Sequence, residues 1–161
     1  MFLAVTTAQW LLMFHITGAF FLVGGSVAAT VFNVLSRTTD KPAEIALFLR
    51  LIRWTIPLIG LGALLTLVLG LWLVHEDSYA FFSFWVIAAL VLWVLSSALG
   101  SAGGRHQEKA RALAEKLTVA GEASNDELRT TLRDPRGNAL VWLAALATLL
   151  LLVDMIWKPG A

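Results

Sequence analysis

Four long apolar stretches constrain the fold of this chain more than any other feature, at residues about 8–35, 54–75, 80–104 and 138–157. A helix that rises about 1.5 Å per residue needs about 20 apolar residues to cross the hydrocarbon core of a bilayer, and each stretch has that length. Backbone polar groups in lipid must be satisfied within the segment, and none of the stretches alternates with the period of a barrel strand. The pattern therefore predicts an all-α integral membrane four-helix bundle, with residues 1–161 as a single transmembrane domain.

Composition supports a lipid environment and excludes several kinds of protein. Of the 161 residues, 58% are hydrophobic and 14% are charged, which is more apolar surface than a small soluble fold can bury. The formal net charge of +1 gives no reason to expect a nucleic-acid partner. The absence of cysteine rules out disulfides, thiolate zinc sites, iron–sulfur clusters and cysteine nucleophiles. The uncharged N-terminal run is much longer than the roughly 7–15 residues of a signal-peptide core, so we expect it to be retained as the first helix.

Basic residues predict how the helices are oriented in the membrane. They cluster between the first and second stretches and between the third and fourth, whereas the turn at 75–79 carries acids and no Arg or Lys. Cytoplasmic loops are enriched in Lys and Arg, so we expect both termini and this turn to face outward. We therefore predict a multi-pass protein of a bacterial inner (plasma) membrane, with residues 105–137 as a cytoplasmic loop. The basic residues of the two loops are Arg37, Lys41, Arg50, Arg53, Arg105, Lys109, Arg111, Lys116, Arg129, Arg133 and Arg136.

Both basic loops also contain patterns that predict short amphipathic helices. A capping residue and a proline at 39–42 precede an apolar stripe typical of an interfacial helix that leads into the second stretch. The third helix is expected to continue beyond the membrane over 105–117 and to stop near Gly121. Residues 124–127 fit a capping box for a further short helix. The apolar stripe that follows residue 42 consists of Ile45, Phe48, Leu49 and Ile52.

His15 is the first candidate functional residue, because ionisable side chains deep in a membrane are costly and commonly functional. It lies about eight residues, roughly 12 Å, inside the first helix. Its face of the helix is almost entirely small, which lets another group approach the backbone closely. Three interpretations stay open: a neighbouring helix packs there, His15 is an axial ligand of haem iron, or His15 relays protons. The other residues on this face are Gly18, Ala19, Leu22, Gly25, Ser26, Ala29 and Asn33.

Three further ionisable residues are candidates for a site, and the sequence separates them by position. His75 ends the second stretch on the same side as His15, so it is the candidate second axial ligand, although helical rise puts it about 10 Å shallower. The alternative for His75 is an interfacial histidine beside Glu76. Asp154 can orient a histidine ring nitrogen or be solvated at the headgroups, and solvation is the expectation. His106 belongs to the basic loop on the opposite side of the membrane, which argues against a joint site with His15.

The sequence shows no arrangement typical of an enzyme. It has no nucleophile–base–acid set, phosphate loop or dinucleotide fingerprint. The glycine-rich segment 100–105 ends an apolar helix and does not follow a strand, so it is not a phosphate cradle. Met1, Met13 and Met155 form no methionine-rich motif for copper. We therefore assign no catalytic residue.

Short motifs near both ends of the chain carry a resemblance to a known family. The first helix has Phe-His-Ile-Thr-Gly-Ala at 14–19 and Val-Gly-Gly at 23–25, and the chain closes with Ile-Trp-Lys-Pro-Gly at 156–160. Together with the spacing of the four helices and the basic third loop, these motifs resemble the small integral membrane proteins of the DUF2269 family over nearly the whole chain. The first-helix pattern is also similar to CopD-like copper-resistance proteins and HemJ-type protoporphyrinogen oxidases, in which the corresponding histidine is associated with haem b. This wider resemblance extends to His15 only, and no second ligand on the third helix can be matched.

Two hypotheses about function follow from these observations. In the first, the chain is a cytochrome-like membrane protein that binds haem b and transfers electrons with quinones or membrane redox proteins. His15 and His75 then bind the iron, and Gly18 and Gly25 let the flat group approach the first helix. In the second, the chain is a non-catalytic scaffold or accessory subunit, and the same small face packs against partners in a homo-oligomer or a larger membrane complex.

Overall fold

The computed structural model describes residues 6–76 and 79–160, and within them the chain is all-α. Three of its helices, and the segment Asp126–Trp157 that contains the last two, are long and apolar enough to cross a membrane. The prediction of an all-α bundle with four membrane-spanning helices is therefore confirmed. The helices are α1 (Thr7–Leu35), α2 (Pro42–Glu76), α3 (Phe84–Ala120), α4 (Asp126–Arg133) and α5 (Pro135–Trp157).

The helix ends follow from local sequence signals. At the start of α1, the Thr6 hydroxyl accepts a hydrogen bond from the Gln9 N–H at 3.3 Å, and the Gln9 side chain accepts one from the Thr6 N–H at 2.9 Å. Helix α3 ends at Gly121, whose φ of 69° lies in the left-handed region that glycine adopts without strain. The Asn125 side chain caps α4 by accepting from the Leu128 N–H at 2.9 Å. The predicted start of this short helix was thus correct in place, with Asn125 as the capping residue.

Helices α2 and α3 extend well beyond the predicted apolar stretches. Helix α2 begins at Pro42, so the segment predicted to lie at the interface is the first part of α2 itself. Three of the four residues of its apolar stripe, Ile45, Leu49 and Ile52, are buried in a core that also includes residues of α3 and α4. This small core lies outside the apolar stretches and resembles that of a soluble helical domain. Its buried members are Ile45, Ala46, Leu49, Ile52, Ala110, Ala114, Leu117, Leu128 and Leu132.

The small face of α1 packs against α2 in an antiparallel contact that we call the α1–α2 seam. Gly62 lies against the backbone of α1, where an added Cβ would sit 2.7 Å from the carbonyl oxygen of Gly18. A Cβ on Gly18 would lie 2.7 Å from Leu65 Cβ, and one on Gly25 would lie 2.7 Å from Ile59 Cγ1. The two backbones therefore approach as closely as small residues permit, which is the usual basis of helix association in lipid.

Helices α3 and α5 form the second closely packed pair, and α2 also contacts α3. We call the end of the bundle that carries the first turn of α1 and the last turn of α5 the terminal side, and the opposite end the basic side. Ion pairs among the described residues lie on the basic side, including Arg50–Glu115 at 3.1 Å and Arg111–Glu115 at 2.6 Å. On the same side the buried amide of Asn33 accepts a hydrogen bond from the Gln107 side chain at 3.0 Å, which ties α1 to α3.

Candidate functional site

A cavity of about 500 Å³ opens between α1, α2, α3 and α5 on the terminal side. This volume falls within the range of about 300–1,000 Å³ that is typical of cofactor and small-molecule sites. The cavity arises because the α1–α2 and α3–α5 pairs are each closely packed, whereas α1 contacts α5 only weakly. Its walls are mostly apolar and include Leu12, Ile16, Leu67, Leu71, Val86 and Leu90.

His15 lines this cavity from α1. Its ring is half-buried, and its Nδ1 atom is buried with no hydrogen-bond partner among the described residues. Helix α2 presents Gly70 to the ring, and an added Cβ there would lie 3.0 Å from His15 Cε1. The imidazole therefore occupies the space that the missing side chain of Gly70 leaves. Because Nδ1 is packed against Gly70 of α2, Nε2 is the ring nitrogen left to meet a ligand in the cavity.

Thr66 is the second polar group in the same wall of the cavity. It lies one helical turn before Gly70 on α2, it is 1% exposed, and its Oγ1 also lacks a hydrogen-bond partner in the described part of the chain. By contrast, the Trp93 indole that lines the cavity donates to the carbonyl oxygen of Ala63 at 3.1 Å. Unsatisfied polar atoms are thus found where α1 and α2 meet at the cavity, beside His15.

The lining at the terminal end of the cavity includes three neighbouring residues that we call the mouth: Tyr79, Trp85 and Lys158. The Lys158 ammonium lies 3.5 Å from the Tyr79 hydroxyl, 4.7 Å from the centre of the Tyr79 ring and 5.5 Å from that of Trp85. The two aromatic rings meet edge to face with their centres 5.4 Å apart. The mouth therefore places one cation on an aromatic support at the end of an apolar cavity.

The structure separates the glycines and His75 from the cavity that His15 lines. Gly18 and Gly25 are buried in the α1–α2 seam and do not line it. His75 is exposed and stacks on Phe81, with ring centres 6.3 Å apart. His75 lies about 7.5 Å along α2 from Gly70 and about 140° around the helix axis. Its side chain therefore leaves α2 in a different direction from the face that contacts His15. His15 and His75 are therefore not brought together.

Asp154 and His106 both lie outside the lining of the cavity. The expectation that Asp154 is solvated is wrong, because it is 8% exposed and its Oδ2 has no partner among the described residues. It is also absent from the cavity lining. His106 lies on the basic side, where its Nε2 is 2.8 Å from the carbonyl oxygen of Thr131 and its Nδ1 is 3.6 Å from Asp134. It joins α3 to the segment around α4 and takes no part in the cavity.

Sequence reasoning did not find Thr66, Gly70, Tyr79, Lys158 or Met155 as members of the cavity lining. Each belongs to an apolar helix or an interfacial turn, and only the pairing of helices brings them near His15. One signal was available: Thr66 and Gly70 are four residues apart and so share a face of α2. Within the described residues, no group of three or more His, Cys, Asp or Glu side chains could hold a metal ion.

Four membrane-spanning helices around an apolar cavity define a small multi-pass membrane protein. The model of the family described as "Predicted integral membrane protein (DUF2269)" matches residues 9–159, so the chain belongs to this family. The resemblance of the sequence motifs to the DUF2269 family is thereby confirmed. No curated protein and no solved structure matches the chain.

Proposed function

We propose that the chain is a haem b protein of a bacterial inner membrane, which carries electrons as a cytochrome-like protein or as a redox subunit. The observation that supports this most is the half-buried ring of His15 in the wall of a cavity of about 500 Å³. Histidine is a common ligand of haem iron, and with Nδ1 packed against Gly70, Nε2 would be the nitrogen that binds it. When bound, the haem would supply one-electron chemistry.

The residues of the cavity fit the chemistry of a porphyrin. Its flat apolar body requires apolar walls, which α1, α2, α3 and α5 supply. The absence of a side chain at Gly70 leaves room for the His15 ring, and the α1–α2 seam fixes the distance between these two residues. The chain would thus orient one ligand and surround the bound group with apolar side chains. Burial of this kind is one of the means by which proteins tune haem potentials.

Met155 is a better candidate than His75 for a second residue that would hold the iron. Met155 lines the cavity from α5, on a different helix from His15, whereas His75 is exposed and outside the lining. A methionine thioether paired with histidine is an established haem ligand set. We therefore assign His15 and Met155 as the residues that would hold the iron. An electron partner would be a quinone or another membrane redox protein that reaches the cavity through lipid.

The competing scaffold hypothesis relies on a surface that the chain itself covers. Gly18 and Gly25, the small residues on which that hypothesis depends, are buried against α2. A partner helix would have to displace α2 to use the same face.

Haem content measured in three histidine variants tests the proposal. The wild-type protein and the variants His15→Ala, His75→Ala and His106→Ala are expressed with ample haem and purified in detergent, and spectra are recorded before and after dithionite reduction. We expect a Soret band that is lost or shifted in His15→Ala and unchanged in the other two variants. The assignment is wrong if the wild-type protein has no Soret band, or if its spectrum is unaltered by His15→Ala.

A further inference from the structure

Lys158 is held at the mouth by an unusual backbone conformation. Its φ of 42° lies in the left-handed region, which glycine usually occupies just beyond a helix and which costs other residues about 1–2 kcal/mol. The Lys158 N–H closes the last turn of α5 by donating to the Asp154 carbonyl oxygen at 2.8 Å. This turn aims the side chain back over Tyr79 and Trp85 and into the cavity lining. The turn thus directs the side chain toward the mouth, where the two rings lie beneath the ammonium.

The donors of the mouth match a carboxylate. The Lys158 ammonium and the Tyr79 hydroxyl are 3.5 Å apart, and each can donate a hydrogen bond to one oxygen of the same group. Among the residues that the structure describes, no carboxylate lies within ion-pair distance of Lys158. Charge-assisted hydrogen bonds are stronger than neutral ones, and more so where the surroundings are apolar.

We propose that the mouth binds the carboxylate end of an amphipathic ligand whose apolar body fills the cavity. This inference rests on the proposed function where the ligand is haem b, since the acidic group is then a haem propionate. The same arrangement fits a long-chain carboxylate, which shares an apolar body and one acidic end. In both cases the body meets the apolar walls and the acid meets Lys158 and Tyr79. The mouth therefore selects an acid over its neutral ester.

Comparison of haem b with its dimethyl ester isolates the role of the carboxylates. Both are titrated into apo protein in detergent, using the wild-type protein and Lys158→Gln. A charge-assisted hydrogen bond is worth about 1.5–3 kcal/mol, so Lys158→Gln should weaken haem b binding about 10-fold or more. The affinity for the dimethyl ester should change about twofold or less, because the ester has no charge to lose. Tyr79→Phe should give a smaller loss of the same kind.

Two further variants separate recognition of the acid from an effect on folding. Lys158→Arg keeps the positive charge and should restore most of the preference for the acid. Lys41→Gln removes an exposed lysine on the basic side and should leave both affinities unchanged. Equal losses of haem b and its ester in Lys158→Gln would show that the mouth is only structural, and would overturn the proposal.

A haem-free test keeps the proposal independent of the proposed function. If the wild-type protein binds neither haem b nor its ester, the haem function is wrong, and the same proteins are titrated with a spin-labelled fatty acid and its methyl ester. Tighter binding of the acid in the wild-type protein, lost in Lys158→Gln, supports the mouth as a carboxylate site. Equal binding of acid and ester refutes it.

Discussion

Replacing Gly62 by alanine should destabilise the α1–α2 seam more than the same change two residues earlier. An added Cβ at Gly62 would lie 2.7 Å from the carbonyl oxygen of Gly18 and closer still to the backbone nitrogen of Leu22, well inside ordinary contact. These are backbone atoms that cannot rotate away, so the two helices must separate. At Gly60, an added Cβ meets nothing within 4 Å.

The two variants form a matched pair in which helix propensity cancels. Alanine is favoured over glycine in a helix by up to about 1 kcal/mol, and both variants gain this. Only Gly62→Ala carries the overpacking cost, which is typically about 1–3 kcal/mol. We therefore expect its free energy of unfolding to be about 1–3 kcal/mol below that of Gly60→Ala.

Unfolding by dodecyl sulfate in mixed micelles, followed by circular dichroism, measures this difference. The wild-type protein, Gly60→Ala and Gly62→Ala are compared under identical conditions. Equal stability of the two variants, or a more stable Gly62→Ala, would show that α1 and α2 do not approach as described. The α1–α2 seam would then not fix the position of His15 beside Gly70.

Three further predictions concern the cavity and the basic side. Gly70→Ala places a Cβ 3.0 Å from the His15 ring. It should therefore lower the haem content of the purified protein or shift its Soret band in optical spectra. An unaltered spectrum would contradict the contact between Gly70 and His15. Met155→Leu should retain haem but convert a low-spin spectrum to a high-spin one. The control Met13→Leu, which changes an exposed methionine on α1, should leave the spectrum unchanged. A low-spin spectrum in Met155→Leu would show that Met155 is not a ligand of the iron. Asn33→Ala deletes a buried acceptor between α1 and α3 and should cost about 1–3 kcal/mol in the same unfolding assay, and a loss below about 0.5 kcal/mol would argue against that contact.

The membrane-spanning part of the fold could be predicted because lipid imposes length and polarity on each helix directly. The extent of α2 could not be predicted from hydropathy. Arg50 and Arg53 lie just before the apolar stretch, but the helix begins eight residues before Arg50, at Pro42. The apolar stripe that includes Ile45 and Leu49 predicts that this face of the helix is buried. It does not predict which elements cover that face. Only the fold shows that α3 and α4 do so, where a membrane surface was expected.

The candidate site was predictable at one residue. His15 stands out because an ionisable group at that depth is costly, and this depends on the sequence alone. What surrounds it depends on the register of α2 against α1, which Gly62 sets by its contact with Gly18. That register brings Gly70 to His15 and leaves His75 outside the cavity. A pattern within one helix does not contain this information.

The haem content of the purified wild-type protein is the most direct test of the central proposal. The protein is produced with excess haem precursor, purified in detergent, and its haem b is quantified against protein by the pyridine haemochrome method. A cavity that holds one haem through His15 predicts about one haem b per chain, reduced by dithionite. Haem at a few per cent of the protein, with no spectral response to added haem, would contradict it.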